Sequence, residues 1–278
     1  MVINVKEGQN LTEVFSQSGK SGEPLFIVLP HSAVFRQKVR CTGSNLVVMG
    51  NGCSIVWNDH NGQTPGFGTA DSATLTVSGS NVFFSDLKVE NDFDYAAGRR
   101  SIIGGNPNTM MGLQAVAVYT APEADMVSFD NCTFKSYQDT LFTDCVRSLF
   151  VNCTIEGCID FIFGASYADF HNCTVVSNGS GFIAAPSTPE ENPNGISFFD
   201  CRFTCTEEVE DGAVFLARPW HPGGKPGKKP FVFFSGCTLG RHISPTLWAS
   251  MFDTFRKIHK PEESRFIIDE ATLSTLKH

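Results

Sequence analysis

Asn131-Cys132-Thr133 recurs as Asn152-Cys153-Thr154 and again as Asn172-Cys173-Thr174, at steps of 21 and 20 residues. A fixed period near twenty, with apolar β-formers around each anchor, is the signature of a solenoid in which each repeat makes one turn of a coil. Stacked as parallel strands, equivalent residues of neighbouring coils lie roughly 4.8 Å apart. Asn suits a tight corner, because its side chain bonds the local backbone and tolerates the left-handed region. Stacked Asn side chains can also form ladders from coil to coil.

Two aspartates follow the same period. Asp139 lies in Gln138-Asp139-Thr140-Leu141-Phe142 and Asp160 in Asp160-Phe161-Ile162-Phe163-Gly164, each eight residues after its own Asn. They therefore take one position in successive coils. Two carboxyls so placed resist joint ionisation, and their pKa values are expected to split. That is a catalytic pair in outline. Spacing alone leaves another reading open, in which both are corner residues bonding turns between coils.

The rest of the chain is consistent with this rhythm. Segments 2–5, 25–29, 46–49, 74–77, 82–84 and 87–89 read as short strands, and 11–18 as a possible helix. Many short β segments without intervening helical periodicity describe an all-β chain. Gly50-Asn51-Gly52 reads as a turn, since it lacks the third glycine of a dinucleotide fingerprint. Polar insertions at 58–72, 91–111, 186–195 and 221–229 should leave the stack as loops, often on a binding face. No linker or low-complexity segment divides residues 1–278, so we expect one domain, with a non-repeating cap or tail from about 249.

Composition narrows the function classes. Hydrophobic content of 41% against 18% charged residues indicates a packed globular chain, and the 25 Phe suit a core of piled flat rings. A net charge of −8 argues against a nucleic-acid partner and against tight binding of a strongly anionic polymer. No apolar run approaches the ~20 residues of a membrane helix. Lys6, Glu7, Asn10 and Glu13 stand where a secretory signal places its apolar stretch, so we expect the cytoplasm, with secretion after loss of a leader as the alternative.

The ten cysteines look like a disulfide framework until they are placed. Cys132, Cys153 and Cys173 share one repeat position, which Cys201 and Cys237 continue. We read an internal ladder of small buried thiols packing as hydrophobes, mostly free, because a chain this long needs no framework. There is no Cys-x-x-Cys and no His-x-x-x-His, so no metal site is expected.

Region 114–220 adds Gln114, Gln138, Arg218 and Trp220 to the two aspartates. There is no Gly-x-Ser-x-Gly elbow, which disfavours conventional serine hydrolysis and leaves a carboxylate nucleophile with a second carboxyl as acid and base. Gln114-Ala115-Val116-Ala117, Gln138-Asp139-Thr140-Leu141, Asp160-Phe161-Ile162-Phe163-Gly164 and Arg218-Pro219-Trp220 stand in the order and spacing of the pectin methylesterase family, which the chain resembles from about Val5 to Phe266. Ala185-Pro186-Ser187-Thr188, Trp220-His221-Pro222 and Glu263-Ser264-Arg265-Phe266 look like its bacterial branch.

The resemblance implies a single-stranded right-handed parallel β-helix and hydrolysis of galacturonate methyl esters in pectin or methylated oligogalacturonides, with release of methanol. It implies Asp160 as nucleophile, Asp139 as acid and base, Gln114 and Gln138 as oxyanion donors, and Arg218 orienting Asp160. Trp220, Phe163 and Tyr137 would contact the sugar. It implies no cofactor, no metal and no membrane or nucleic-acid partner; we expect a monomer. The rivals are a β-helical lyase or polygalacturonase-like enzyme and a non-catalytic carbohydrate-binding β-helix. Two departures stand out. Ala33-Val34-Phe35-Arg36-Gln37 replaces the family's Gly-x-Tyr-x-Glu, and Ala217 replaces the usual glycine before the arginine. Alanine there would displace Arg218 if the backbone needed a positive φ.

Overall fold

The computed structural model describes residues 1–103 and 112–276. Its strands form three parallel ladders that wind around one apolar core. In the first, Val127–Asp130 pairs with Arg147–Val151, which pairs with Tyr167–His171 and onward to Ile196–Phe199 and Phe231–Ser235. In the second, Thr133–Lys135 pairs with 154–157, then 174–177 and Arg202–Cys205. In the third, Val118–Thr120 pairs with Leu141–Thr143 and then 162–164. Each coil contributes one strand to every ladder, which is the parallel β-helix expected from the repeat.

The corner between the first and second ladders explains why Asn marks each repeat. Asn51, Asp86, Asn131, Asn152, Asn172 and Asp200 all hold φ between 51° and 53° there, a region Asn and Asp enter more readily than other side-chain-bearing residues. Their side chains also bridge coils: Asn131 Nδ2 donates to Asp86 Oδ1 at 2.6 Å and Asn172 Nδ2 to Asn152 Oδ1 at 2.6 Å. At 50–52 the same corner sits inside one continuous strand, Leu46–Trp57, whose pairing slips between Met49 and Cys53.

Strand alternation sends every second side chain inward, and the register stacks like on like. Phe84, Phe129, Phe150, Phe170, Phe198 and Phe234 form one column, with successive ring centroids 5.0, 5.3, 4.4, 4.8 and 4.9 Å apart. Each buried ring contributes about 1.5–3 kcal/mol through burial alone. Cys132, Cys153, Cys173, Cys201 and Cys237 form a second column, each Sγ directed to the carbonyl of a Phe one coil or more away. All ten cysteines are free, and nine are buried.

Both ends of the core are covered. Helix α1 (Leu11–Phe15), capped by Asn10, buries Leu11, Val14 and Phe15 over the first coils. The departure at 33–37 belongs to this end: Phe35 is buried, Arg36 pairs with Asp92, and Gln37 Oε1 accepts from Leu11 N–H at 3.0 Å. Insertion 91–111 is helical in part, as α2 (Tyr95–Ile103), and 104–111 lie outside the described residues. From 249 the chain leaves the coil for a small antiparallel hairpin, Met251–Phe252 with Ile258–His259. It then returns: Arg265–Ile268 adds a strand to the first ladder beside Phe231–Ser235. Helix α3 (Glu270–Leu273) closes that end, where Thr272 and Thr275 hydroxyls accept the Cys237 and Leu239 N–H groups of the last coil.

Candidate active site

The chain turns from the second ladder into the third at Asp139 (φ 66°) and Asp160 (φ 50°). Gln138 pairs in parallel with both Gln114 and Ile159, and Asp139 N–H donates to Ile159 O at 3.0 Å. That register puts Asp139 beside Asp160 on the neighbouring coil, as the 21-residue spacing requires. The left-handed corner turns both carboxyls to the outside of the coil, yet they are only 8% and 7% exposed. They line a cleft together with Gln114, Gln138, Phe163 and Trp220.

Arg218, 58 residues beyond Asp160, completes the constellation. Its Nε donates to Asp160 Oδ1 at 2.7 Å and its Nη2 to Oδ2 at 2.5 Å, a two-pronged charged contact. The guanidinium also lies 3.8 Å from the centroid of the Phe182 ring. The alanine before it causes no displacement. Ala217 lies fully buried in strand Val214–Ala217, is absent from the positive-φ positions and pairs with Ala184.

Burial raises both aspartates above the ordinary carboxylate range, and what differs is the opposition it meets. Asp139 is pushed well above that range by burial and then by the charge of Asp160, against weaker pulls from Arg218 and a Gln138 hydrogen bond. At Asp160 burial is countered by the hydrogen bonds and charge of Arg218. Burial and the charge of Asp160 thus favour the neutral form of Asp139, while Arg218 favours the ionised form of Asp160.

The glutamines supply the uncharged donors. Asn61 Nδ2 donates to Gln114 Oε1 at 3.0 Å, and Asn61 N–H to the Gln114 carbonyl at 2.8 Å, so both Gln114 oxygens are engaged where its side chain lines the cleft. Trp220 stands edge-on to Phe163 and Phe142, with centroids 5.5 and 6.1 Å away. Phe163 itself is stacked on Phe142 at 4.2 Å and only 3% exposed, so it offers the cleft little more than a rim.

Tyr137 is not brought to this cleft. It precedes the corner, so it projects from the outer face of the second ladder, where it stacks on Tyr95 at 5.1 Å in a separate depression with Glu90, Asp92 and Lys135. Conversely, Thr69 and Met251 line the cleft without having been singled out in the sequence, Ala185 lines it from a motif noted only for its resemblance, and Asn61 supports it from behind. Thr69 and Asn61 belong to insertion 58–72 and Met251 to the C-terminal hairpin, none of which carries the repeat. Among the described residues no group of three or more His, Cys, Asp or Glu is arranged to hold a metal ion, and no helix is long and apolar enough to cross a membrane.

Known proteins resemble this chain in sequence and fold. The family model for pectinesterases matches residues 6–255. Pectinesterase A of Dickeya chrysanthemi is 32% identical over 222 residues, covering 74% of this chain, which in turn spans 60% of that relative's length. A pectin methylesterase solved in complex with hexasaccharide VII superposes with a TM-score of 0.85 at 27% identity, over 96% of this chain and 87% of the other. The pectin methylesterase of Erwinia chrysanthemi gives 0.84 at 27% identity over the same shares. Fold and family match agree: the chain belongs to the pectinesterase family.

Proposed function

We propose that this protein hydrolyses the methyl esters of galacturonate units in pectin or pectic oligosaccharides, releasing methanol. One observation carries the reading: Asp160 gripped by Arg218 beside an Asp139 whose burial favours its neutral form, in a cleft that also presents Gln114 and Gln138. A carboxylate nucleophile, a proton donor and two amide donors are what acyl transfer through a tetrahedral intermediate needs.

The steps follow from those positions. An Asp160 oxygen attacks the ester carbonyl carbon, and the carbonyl electron pair moves onto oxygen. Gln114 and Gln138 N–H groups bond that oxyanion. As it collapses the C–OCH3 bond breaks, Asp139 gives its proton to the departing oxygen, and methanol leaves an anhydride on Asp160. Asp139, now a carboxylate, takes a proton from the water that attacks the acyl carbon. The anhydride breaks, Asp160 is free again and Asp139 is reprotonated. Losing one amide donor is expected to cost about 3–4 kcal/mol of transition-state stabilisation.

Support for a saccharide substrate comes from the half-buried Trp220 beside the aspartates and from the related methylesterase solved with a hexasaccharide. The net charge of −8 favours highly methylated, less anionic chains over demethylated ones. The test is methanol release from highly methylated pectin and short methylated oligogalacturonides, wild type against Asp160→Asn. Release that disappears in the folded variant supports the esterase. New reducing ends or unsaturated sugars without methanol would point to glycosidase or lyase chemistry, and binding unchanged by the substitution to a carbohydrate-binding protein.

A further inference from the structure

Arg265 lies in the Glu263-Ser264-Arg265-Phe266 segment, at the start of the strand that returns to the coil after the hairpin. No carboxylate pairs with it among the described residues. Its guanidinium instead takes four backbone carbonyls from two loops. Nη1 donates to Asn192 O at 2.7 Å and Pro193 O at 3.2 Å; Nη2 donates to Lys229 O at 2.7 Å and Pro189 O at 3.4 Å; Nε adds a second bond to Lys229 O at 3.1 Å. Only a planar fork with several N–H donors can serve so many acceptors in one place; an ammonium with three donors on a flexible stem does not replace it.

The two loops it gathers are the insertions flanking the cleft. Loop 187–195 starts just after Ala185, and loop 219–230 carries Trp220, both lining residues. They are already in contact. Trp220 N–H donates to Pro186 O at 3.0 Å, Glu190 N–H to Gly227 O at 3.0 Å and Lys229 N–H to Thr188 O at 2.9 Å. Beyond Trp220, the His221 ring lies on His259 with centroids 3.7 Å apart. The near end of each loop forms the cleft wall, and the far ends meet at Arg265. Among the described residues the carbonyls of Asn192 and Pro193 accept from no other donor, so without the fork the far ends of the loops lose the group that joins them.

We infer that Arg265 is a positioning residue: it braces loops 187–195 and 219–230 into one rim, so that Trp220 is held at the cleft for a saccharide chain. Arg265 touches no reacting group, so its contribution falls on substrate binding and not on the chemical step. The inference rests on the proposed esterase reading, and wild-type methanol release is the control that separates the two.

The experiment compares wild type, Arg265→Met and Arg265→Lys for kcat and KM on highly methylated pectin, with hydrogen exchange on the same samples. Arg265→Met is expected to raise KM roughly threefold or more while kcat stays within about twofold. Exchange should quicken in 187–195 and 219–230 while strand Phe231–Ser235 keeps its protection. Arg265→Lys should behave like the Met variant, and millimolar guanidinium ion should lower the KM of Arg265→Gly. Unchanged KM with quiet loops would overturn the inference, as would full function in Arg265→Lys or a parallel fall of kcat and thermal stability without a change in KM. If the wild type itself released no methanol, the esterase reading would fail, and loop exchange in the variants would still decide whether Arg265 braces the rim.

Discussion

Arg218 grips both oxygens of Asp160, Nε to Oδ1 at 2.7 Å and Nη2 to Oδ2 at 2.5 Å, across 58 residues of chain. Asp139, on the neighbouring coil, pairs with no guanidinium among the described residues. This asymmetry distinguishes two otherwise equivalent repeat positions.

Breaking the grip should therefore do more than loosen a side chain. Arg218→Met leaves a buried carboxylate unpaired, which costs about 3–5 kcal/mol, so kcat/KM should fall by roughly two orders of magnitude or more. Arg218→Lys keeps the charge but loses the fork and should fall in between. Methanol release by folded variants, checked by circular dichroism, measures both.

The raised pKa of Asp139 predicts a limb in the pH profile. In the proposed mechanism leaving-group protonation needs its neutral form, so kcat/KM should decline as pH rises through that pKa. The same shift has a stability sign. A carboxyl whose folded pKa lies above its unfolded value of about 3.9 contributes stability below that value and loses it as pH rises through the folded pKa. Asp139→Asn, neutral at every pH, should then melt higher than wild type at neutral pH by a few degrees, roughly 2–4 °C per kcal/mol for a chain this size, while activity collapses. A lower melting temperature would mean that Asp139 is ionised in the fold.

Trp220 is half-buried and braced by Phe142 and Phe163, and the proposed function puts a sugar ring on its exposed face. Trp220→Ala should raise KM about tenfold or more with a smaller effect on kcat, since a binding contact equal in ground and transition states acts on KM. Steady-state kinetics on short methylated oligogalacturonides reads the split.

The phenylalanine column should be intolerant of gaps. Phe150 is fully buried between Phe129 and Phe170, at 5.3 and 4.4 Å. Phe150→Ala should cost about 3–5 kcal/mol of unfolding free energy, whereas Phe150→Leu should cost clearly less. Denaturant titration is the measurement.

His242 is fully buried, and neither ring nitrogen has a hydrogen-bond partner among the described residues. Burial, helped by the charge of Arg241, pushes its pKa down to about 4. A base depressed in the fold is neutral there and takes up its proton on unfolding, so stability is lost as pH falls from about 6.5 through about 4. His242→Leu should flatten that part of the stability curve, measured as melting temperature against pH.

Much of this was legible in the chain because a coil is periodic. Asn131, Asn152 and Asn172 mark corners since Asn enters the left-handed region at little cost, and the residues between them alternate in and out. Counting along the repeat was therefore enough to set Asp139 beside Asp160 and to stack the cysteines. Tyr137 shows where counting stops: it is two residues from Asp139, but the corner between them turns the two side chains onto different faces.

What only the tertiary structure decided lies in the insertions. Asn61 behind Gln114, Thr69 and Met251 in the cleft wall, Trp220 against Phe163, and Arg265 across two loops all sit on segments without a period. The return of Arg265–Ile268 to the first ladder is of the same kind. Inside the stack, position follows from distance along the chain, because each coil repeats the geometry of the one before. Outside it, position is set by whichever distant groups satisfy the loop's polar atoms and apolar faces, and those partners appear only once the chain has coiled.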